Sequence, residues 1–190
     1  MTKKGLIYIF EGDGKGKTSA ALGVALRMLL NDKKVVWISW FKSLSWQISE
    51  ASLTKFFVSN LEMFFAGEGF FLKSGEKTAR TGRATVYDLT SQEVHKVAAE
   101  KALSYVEDRL GGENPPELIV MDEVIRAISD GLLSEVEVLR IVEKRRKTHL
   151  VLTGHAASKA MIEQADLVTM MKKIKHPYDK GILAVKGLDY

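Results

Sequence analysis

The segment Glu11-Gly12-Asp13-Gly14-Lys15-Gly16-Lys17-Thr18 limits what this chain can fold into more than any other. Before it stands Gly5-Leu6-Ile7-Tyr8-Ile9-Phe10, a continuous apolar run of the kind buried parallel strands show. After it, Lys17 to Leu30 puts Leu22, Ala25, Leu26 and Leu29 on one helical face. Strand, Gly/Lys-rich turn and helix, in that order, are the context of a phosphate-binding loop. The glycines let backbone N–H groups turn onto phosphate oxygens, and the helix start adds unsatisfied donors and a positive dipole end. Gly12 to Ser19 are therefore the candidate nucleotide-binding residues, with Lys17 as a point charge on a phosphate and the Thr18 hydroxyl on Mg²⁺. The general template G-x-x-x-x-G-K-[ST] has Gly where this chain has Glu11. The competing reading is a Gly-rich turn that binds nothing.

Further along, short β-rich runs alternate with longer helical ones, which favours a parallel sheet covered by helices. Strands are expected at Val35–Trp40, Leu61–Phe65, Leu118–Met121, Leu150–Leu152, Leu167–Met171 and Ile182–Val185. Helices are expected from Val94 to Tyr105, Leu133 to Lys144 and Ala156 to Gln164. Residues 73–90 are polar and read as a long surface loop or lid. No linker divides the chain, so residues 1–190 are expected to form a single nucleotide-binding domain of RecA-like P-loop α/β type with a mainly parallel sheet.

Leu118-Ile119-Val120-Met121 ends on Asp122-Glu123. A carboxylate at the carboxyl end of a buried parallel strand faces the crevice where α/β proteins bind ligands. With a phosphate loop upstream, Asp122 is a candidate to support Mg²⁺, and Glu123 to bind the metal or orient a nucleophile. Without that loop, Asp-Glu would read as a helix cap.

Composition excludes several classes. There are 28 Lys+Arg against 24 Asp+Glu, a balance too even to indicate nucleic acid and compatible with a small polyanion. Cys is absent, which removes disulfides, a thiolate nucleophile and Cys-ligated metals. No apolar run approaches membrane-spanning length and no signal-peptide pattern precedes the first strand, so a cytoplasmic protein without a membrane partner is expected. The basic run Lys144-Arg145-Arg146-Lys147 reads as a solvated helix end.

The loop Gly12–Thr18 with Ser19-Ala20-Ala21-Leu22-Gly23 resembles the ATP:corrinoid (cob(I)yrinic acid a,c-diamide) adenosyltransferase family, whose loop has the form G-[ND]-G-K-G-K-T. Val120-Met121-Asp122-Glu123, Val151-Leu152-Thr153-Gly154 and Ile162 to Thr169 are similar to further family segments. Lys175 to Gly181 and the ending Lys186-Gly187-Leu188-Asp189-Tyr190 look like its C-terminal signature. The resemblance covers most of the chain and is weak between Phe71 and Pro116.

It implies transfer of the 5′-deoxyadenosyl group of ATP to Co(I) of a reduced corrinoid, in adenosylcobalamin synthesis or salvage. Triphosphate would leave, ATP would lie reversed in the loop, and Mg²⁺ would be the cofactor. An external electron donor and a homodimer are implied as well. Lys17, Thr18 and Glu123 would be the catalytic residues, and Thr18, Asp122 and Glu123 the magnesium ligands. Gly67-Glu68-Gly69-Phe70-Phe71-Leu72 matches the family's G-x-G-F-x-W, and Trp46-Gln47-Ile48-Ser49-Glu50 its W-x-x-G-E, which makes Phe70 and Trp46 candidates for the corrinoid face. Phe64-Phe65 reads as core. Departures are Leu72 for Trp, Ser49 for Gly, Phe41-Lys42-Ser43 for F-I-K-G, His155 for Arg, and Thr169-Met170-Met171 for T-E-M. Two alternatives stand beside this reading: a P-loop ATPase or kinase, and a non-catalytic ATP- or corrinoid-binding relative.

Overall fold

Strands β1 (Ile7–Glu11), β2 (Val35–Ser39), β3 (Leu61–Phe65), β6 (Leu118–Asp122), β7 (His149–Thr153) and β8 (Leu167–Met170) form one six-stranded sheet in a computed structural model of the chain. The structure describes residues 4–46, 48–72, 78–81 and 84–189. The spatial order is β3-β2-β6-β7-β1-β8, and every neighbouring pair is parallel. Apolar runs on both sides of the pleat in the central strands β1, β2, β6 and β7 make this arrangement stable, because helices cover both faces there. In β6, Ile119 and Met121 face one core and Leu118 and Val120 the other.

Helix α1 (Lys17–Leu29) packs Ala21, Ala25 and Leu29 onto the second of these cores, around Trp37 and Phe10. The first core receives α2 (Gln92–Gly111) through Ala99, Ala102, Leu103 and Val106, with α3 (Val124–Ser129) and α4 (Glu135–Glu143) beside it. The short α5 (Lys159–Gln164) follows β7 and is capped by Ser158, whose hydroxyl accepts the Met161 N–H. The expected α/β architecture with helices on both faces of a parallel sheet is therefore present.

Four features differ from the sequence expectations. Residues 73–90, expected as a loop, carry a two-stranded antiparallel ribbon, β4 (Thr78–Thr81) and β5 (Ala84–Tyr87), with Thr78 opposite Tyr87; residues 73–77 and 82–83 lie outside the described residues. Low apolar content hid this ribbon, which is built on backbone pairing between strands. Helix α3 was not anticipated, since six residues are too few to show a period. Ile182–Val185 is not a strand: its apolar side chains are about half exposed, and the chain there follows a single 3₁₀ turn, Pro177–Lys180, closed by Gly181 in a left-handed conformation. Arg145 is buried rather than solvated, and its Nε donates to the Gly5 carbonyl at 2.7 Å, holding the approach to β1. Among the described residues no helix is long and apolar enough to cross a membrane.

Candidate active site

All six strands of the parallel sheet point their carboxyl ends to one edge, and the chemistry-bearing residues gather there. The loop between β1 and α1 holds Gly12 to Gly16, and Lys17, Thr18 and Ser19 lie in the first turn of α1. Lys17 Nζ curls back over this loop, donating to the carbonyls of Gly12 at 2.8 Å and Gly14 at 3.0 Å.

The glycines have a second reason to be there. The Gly14 N–H donates to the Met171 carbonyl at 2.7 Å, and a Cβ on Gly12, whose φ is +113°, would lie 2.3 Å from that same oxygen. The loop therefore passes too close to the chain leaving β8 for any side chain at Gly12. Asp13 accepts the Lys173 N–H, and Lys15 forms an ion pair with Asp189, so the C-terminal segment lies against the outside of the loop. Glu11, the residue at the mismatched template position, is buried and accepts the Ala157 N–H at 3.0 Å. That position ties the end of β1 to the start of α5 instead of turning the loop.

Asp122 is fully buried at the end of β6. A buried carboxylate is costly unless its oxygens are paired. Here Oδ1 accepts from Thr18 Oγ1 and from Thr153 Oγ1, each at 2.9 Å, while Oδ2 accepts from Ser39 Oγ at 3.2 Å and faces Lys42 Nζ at 3.3 Å. Sheet register explains the arrangement. Ser39 is the direct neighbour of Asp122 across β2–β6, and Thr153 follows Leu152, the partner of Met121 across β6–β7.

Glu123 begins α3 with φ +65°, a left-handed conformation that is strained for a side-chain-bearing residue. Its N–H donates to Thr153 Oγ1 at 2.8 Å, which fixes the turn. Burial pushes the Glu123 carboxyl above the ordinary range and the neighbouring Asp122 charge adds to this, against opposition from Arg126, Lys17 and Lys42. On Lys42, burial works against the charge, but Asp122 and Glu50 outweigh it and hold the amine above its ordinary value.

Past β2 and β3 the site changes character. Trp46, in a 3₁₀ turn, stacks on Phe70 with ring centroids 4.9 Å apart. Phe70 is 47% exposed, whereas its neighbour Phe71 is buried between Phe41 and His95. Phe64 stacks on Tyr105 at the sheet edge, in keeping with its expected packing role. The loop carrying Phe70 is pressed onto the one after β2: Gly67 N–H donates to the Lys42 carbonyl at 3.0 Å, and a Cβ on Gly67 would clash with the Phe41–Lys42 backbone. Asp88 closes the base of the ribbon, accepting N–H groups from Leu72 and Thr90 and facing His95 Nε2 at 3.2 Å.

Sequence reasoning assigned Lys17, Thr18, Asp122 and Glu123 to one nucleotide site and Trp46 and Phe70 each to the corrinoid face; the structure joins Thr18 to Asp122 and stacks Trp46 on Phe70. Sequence reasoning gave no role to Ser39, Lys42, Glu50, Thr153 and the C-terminal Asp189. Ser39 and Thr153 are ordinary strand-end hydroxyls whose role depends on which strands flank β6, and strand order is not written in local sequence.

With this geometry established, the comparisons with known proteins are direct. The profile of the family described as ATP:corrinoid adenosyltransferase BtuR/CobO/CobP matches residues 3–190. This chain belongs to that family. Corrinoid adenosyltransferases from a Sinorhizobium species and from Pseudomonas aeruginosa are each 30% identical to it over 99% of this chain, covering 81% and 85% of the relatives' own lengths. The Escherichia coli K12 corrinoid adenosyltransferase is 25% identical over 99% of this chain and 87% of its own. The departures noted above fall on both sides of the site: Ser49 and Leu72 lie close in sequence to Trp46 and Phe70, Lys42 reaches Asp122, and Met170 and Met171 run beside the phosphate loop.

Proposed function

We propose that this protein transfers the 5′-deoxyadenosyl group of ATP to Co(I) of a reduced corrinoid. Co(I) attacks the ribose C5′, a Co–C bond forms, the C5′–O bond breaks and inorganic triphosphate leaves. The reading rests on one observation: the phosphate loop and the Trp46–Phe70 stack, whose Phe70 ring is half exposed, lie past the carboxyl ends of strands of one parallel sheet, β1 for the first and β2 and β3 for the second. A nucleotide-binding loop and an apolar platform on one edge suit a two-substrate reaction between a polyphosphate and a flat macrocycle.

Gly12 to Ser19 hold the triphosphate in this reading, and Lys17 exchanges its loop carbonyls for phosphate oxygens. The leaving group carries about four negative charges, so preorganised N–H donors and a lysine lower the barrier to breaking C5′–O. No general base is required, because Co(I) is already a strong nucleophile. Phe70 and Trp46 cover one face of the corrin and keep water from the cobalt, which favours reduction of Co(II) by an external electron donor.

The donor set also fits magnesium. Thr18 and Asp122 present hard oxygens 2.9 Å apart, the one-or-two-ligand complement this ion takes when substrate phosphates complete its shell. Glu123, at the start of α3, is the third candidate ligand. Bound there, magnesium supplies charge neutralisation on the leaving triphosphate. Residues 1–190 act as a single domain in this reading, in the cytoplasm and as a homodimer.

The test is anaerobic incubation with Mg–ATP and chemically reduced cobalamin, following the corrinoid spectrum and identifying the phosphate product. Adenosylcobalamin with triphosphate is expected. ADP with unchanged cobalamin would overturn the proposal in favour of γ-phosphate cleavage.

A further inference from the structure

We propose that Lys42 is a positioning residue that joins the nucleotide half of the site to its aromatic half. Three contacts meet on this one residue. Its Nζ lies 3.3 Å from Asp122 Oδ2, and the other oxygen of Asp122 accepts from Thr18. The same Nζ lies 2.8 Å from Glu50 Oε1, in the 3₁₀ turn that follows Trp46. Its backbone carbonyl accepts the Gly67 N–H in the loop that carries Phe70. Lys42 is thus bonded to the magnesium side of the phosphate loop and to both segments bearing the aromatic stack.

This is not an ordinary surface ion pair, which contributes little. The side chains of Asp122 and Glu50 are 0% and 11% exposed. Glu50 Oε2 is buried without a hydrogen-bond partner among the described residues, so the pairing of Oε1 with Lys42 is what compensates this carboxylate. Removing one partner of such a pair leaves the other charge uncompensated, and it rearranges toward water. For Glu50 that means release of the turn next to Trp46. For Asp122 it means an unneutralised negative charge facing the triphosphate.

The inference rests on the adenosyltransferase reading, and binding measurements separate the two. Calorimetry would be run with MgATP and, separately, with hydroxocobalamin, without reductant so that nothing turns over. Glu50→Gln is expected to weaken hydroxocobalamin about tenfold while MgATP stays within about twofold, the scale of a lost charge-assisted hydrogen bond. Lys42→Met is expected to weaken both ligands. Lys42→Arg, whose forked guanidinium can reach both carboxylates, is expected to keep both within about threefold of wild type. The arginine and glutamine variants carry the test if the methionine variant does not fold. Unchanged hydroxocobalamin binding in Glu50→Gln, an effect of Lys42→Met on one ligand alone, or no rescue by arginine would each overturn the role of Lys42 and leave the enzyme's function standing. Wild-type protein that binds MgATP but not hydroxocobalamin would remove the corrinoid reading and this inference with it.

Discussion

The nucleotide half of the site and its aromatic half are built differently. Around Asp122, Ser39 and Thr153 sit at strand ends placed by sheet register and Thr18 in the first turn of α1, while Lys42 reaches in from the loop after β2. Around Phe70, the supports are a 3₁₀ turn, a loop pinned at Gly67 and a ribbon whose base is tied at Asp88. Rigid elements hold a site to tighter tolerance than loops do. Departures from the family pattern occur in both halves: Ser49 and Leu72 near the aromatic pair, and Lys42 and Met170 beside Asp122 and the phosphate loop.

Four substitutions test this contrast. Lys17→Ala should have the largest effect, lowering kcat/KM by about 10²–10³, the scale of losing a preorganised donor to developing negative charge. Unchanged turnover would remove the phosphate-loop argument. Gly12→Ala should lower the thermal midpoint even without nucleotide, because the new Cβ meets the Met171 carbonyl; a strained backbone of this kind costs about 1–3 kcal/mol. Weaker ATP binding with an unchanged midpoint would mean that this glycine serves the phosphate alone. Phe70→Ala should slow reaction from Co(II) under enzymatic reduction about three- to tenfold, matching a lost aromatic contact, and affect preformed Co(I) less. Equal effects on the two routes would remove its axial-face role.

The smallest effect concerns Glu123. Its folded-state pKa is raised, so the folded state binds its proton more tightly than the unfolded chain does. Stability from this group is present below the ordinary glutamate value of 4.5 and is lost as pH rises through the higher folded value. Glu123→Gln should therefore raise the neutral-pH midpoint of the ligand-free protein slightly while impairing Mg–ATP-dependent turnover. A lower midpoint would show that the carboxylate is structural.

Much of this molecule was legible in one dimension. The strand, glycine loop and helix around Gly12–Thr18, the apolar run ending at Asp122, and the family resemblance carried by those residues are local patterns, set by backbone conformation and burial period. Trp46 and Phe70 were each singled out by motif resemblance, and only the structure shows that the two rings touch. The ribbon at 78–87 and helix α3 escaped for physical reasons: one is held by backbone pairing with little apolar signal, and the other is shorter than two helical turns.

What sequence alone determined is the chemistry available at each position: a lysine and threonine after a glycine turn, a carboxylate pair after an apolar run, two phenylalanines after two glycines. Tertiary structure decided which of these meet. Placing β6 between β2 and β7 surrounds Asp122 with Ser39 and Thr153, and the same sheet edge lets Lys42 reach Asp122 and Glu50 at once. Hydrogen bonds and ion pairs act over a few ångströms of space whatever the sequence separation, and in a parallel sheet strand order sets those distances.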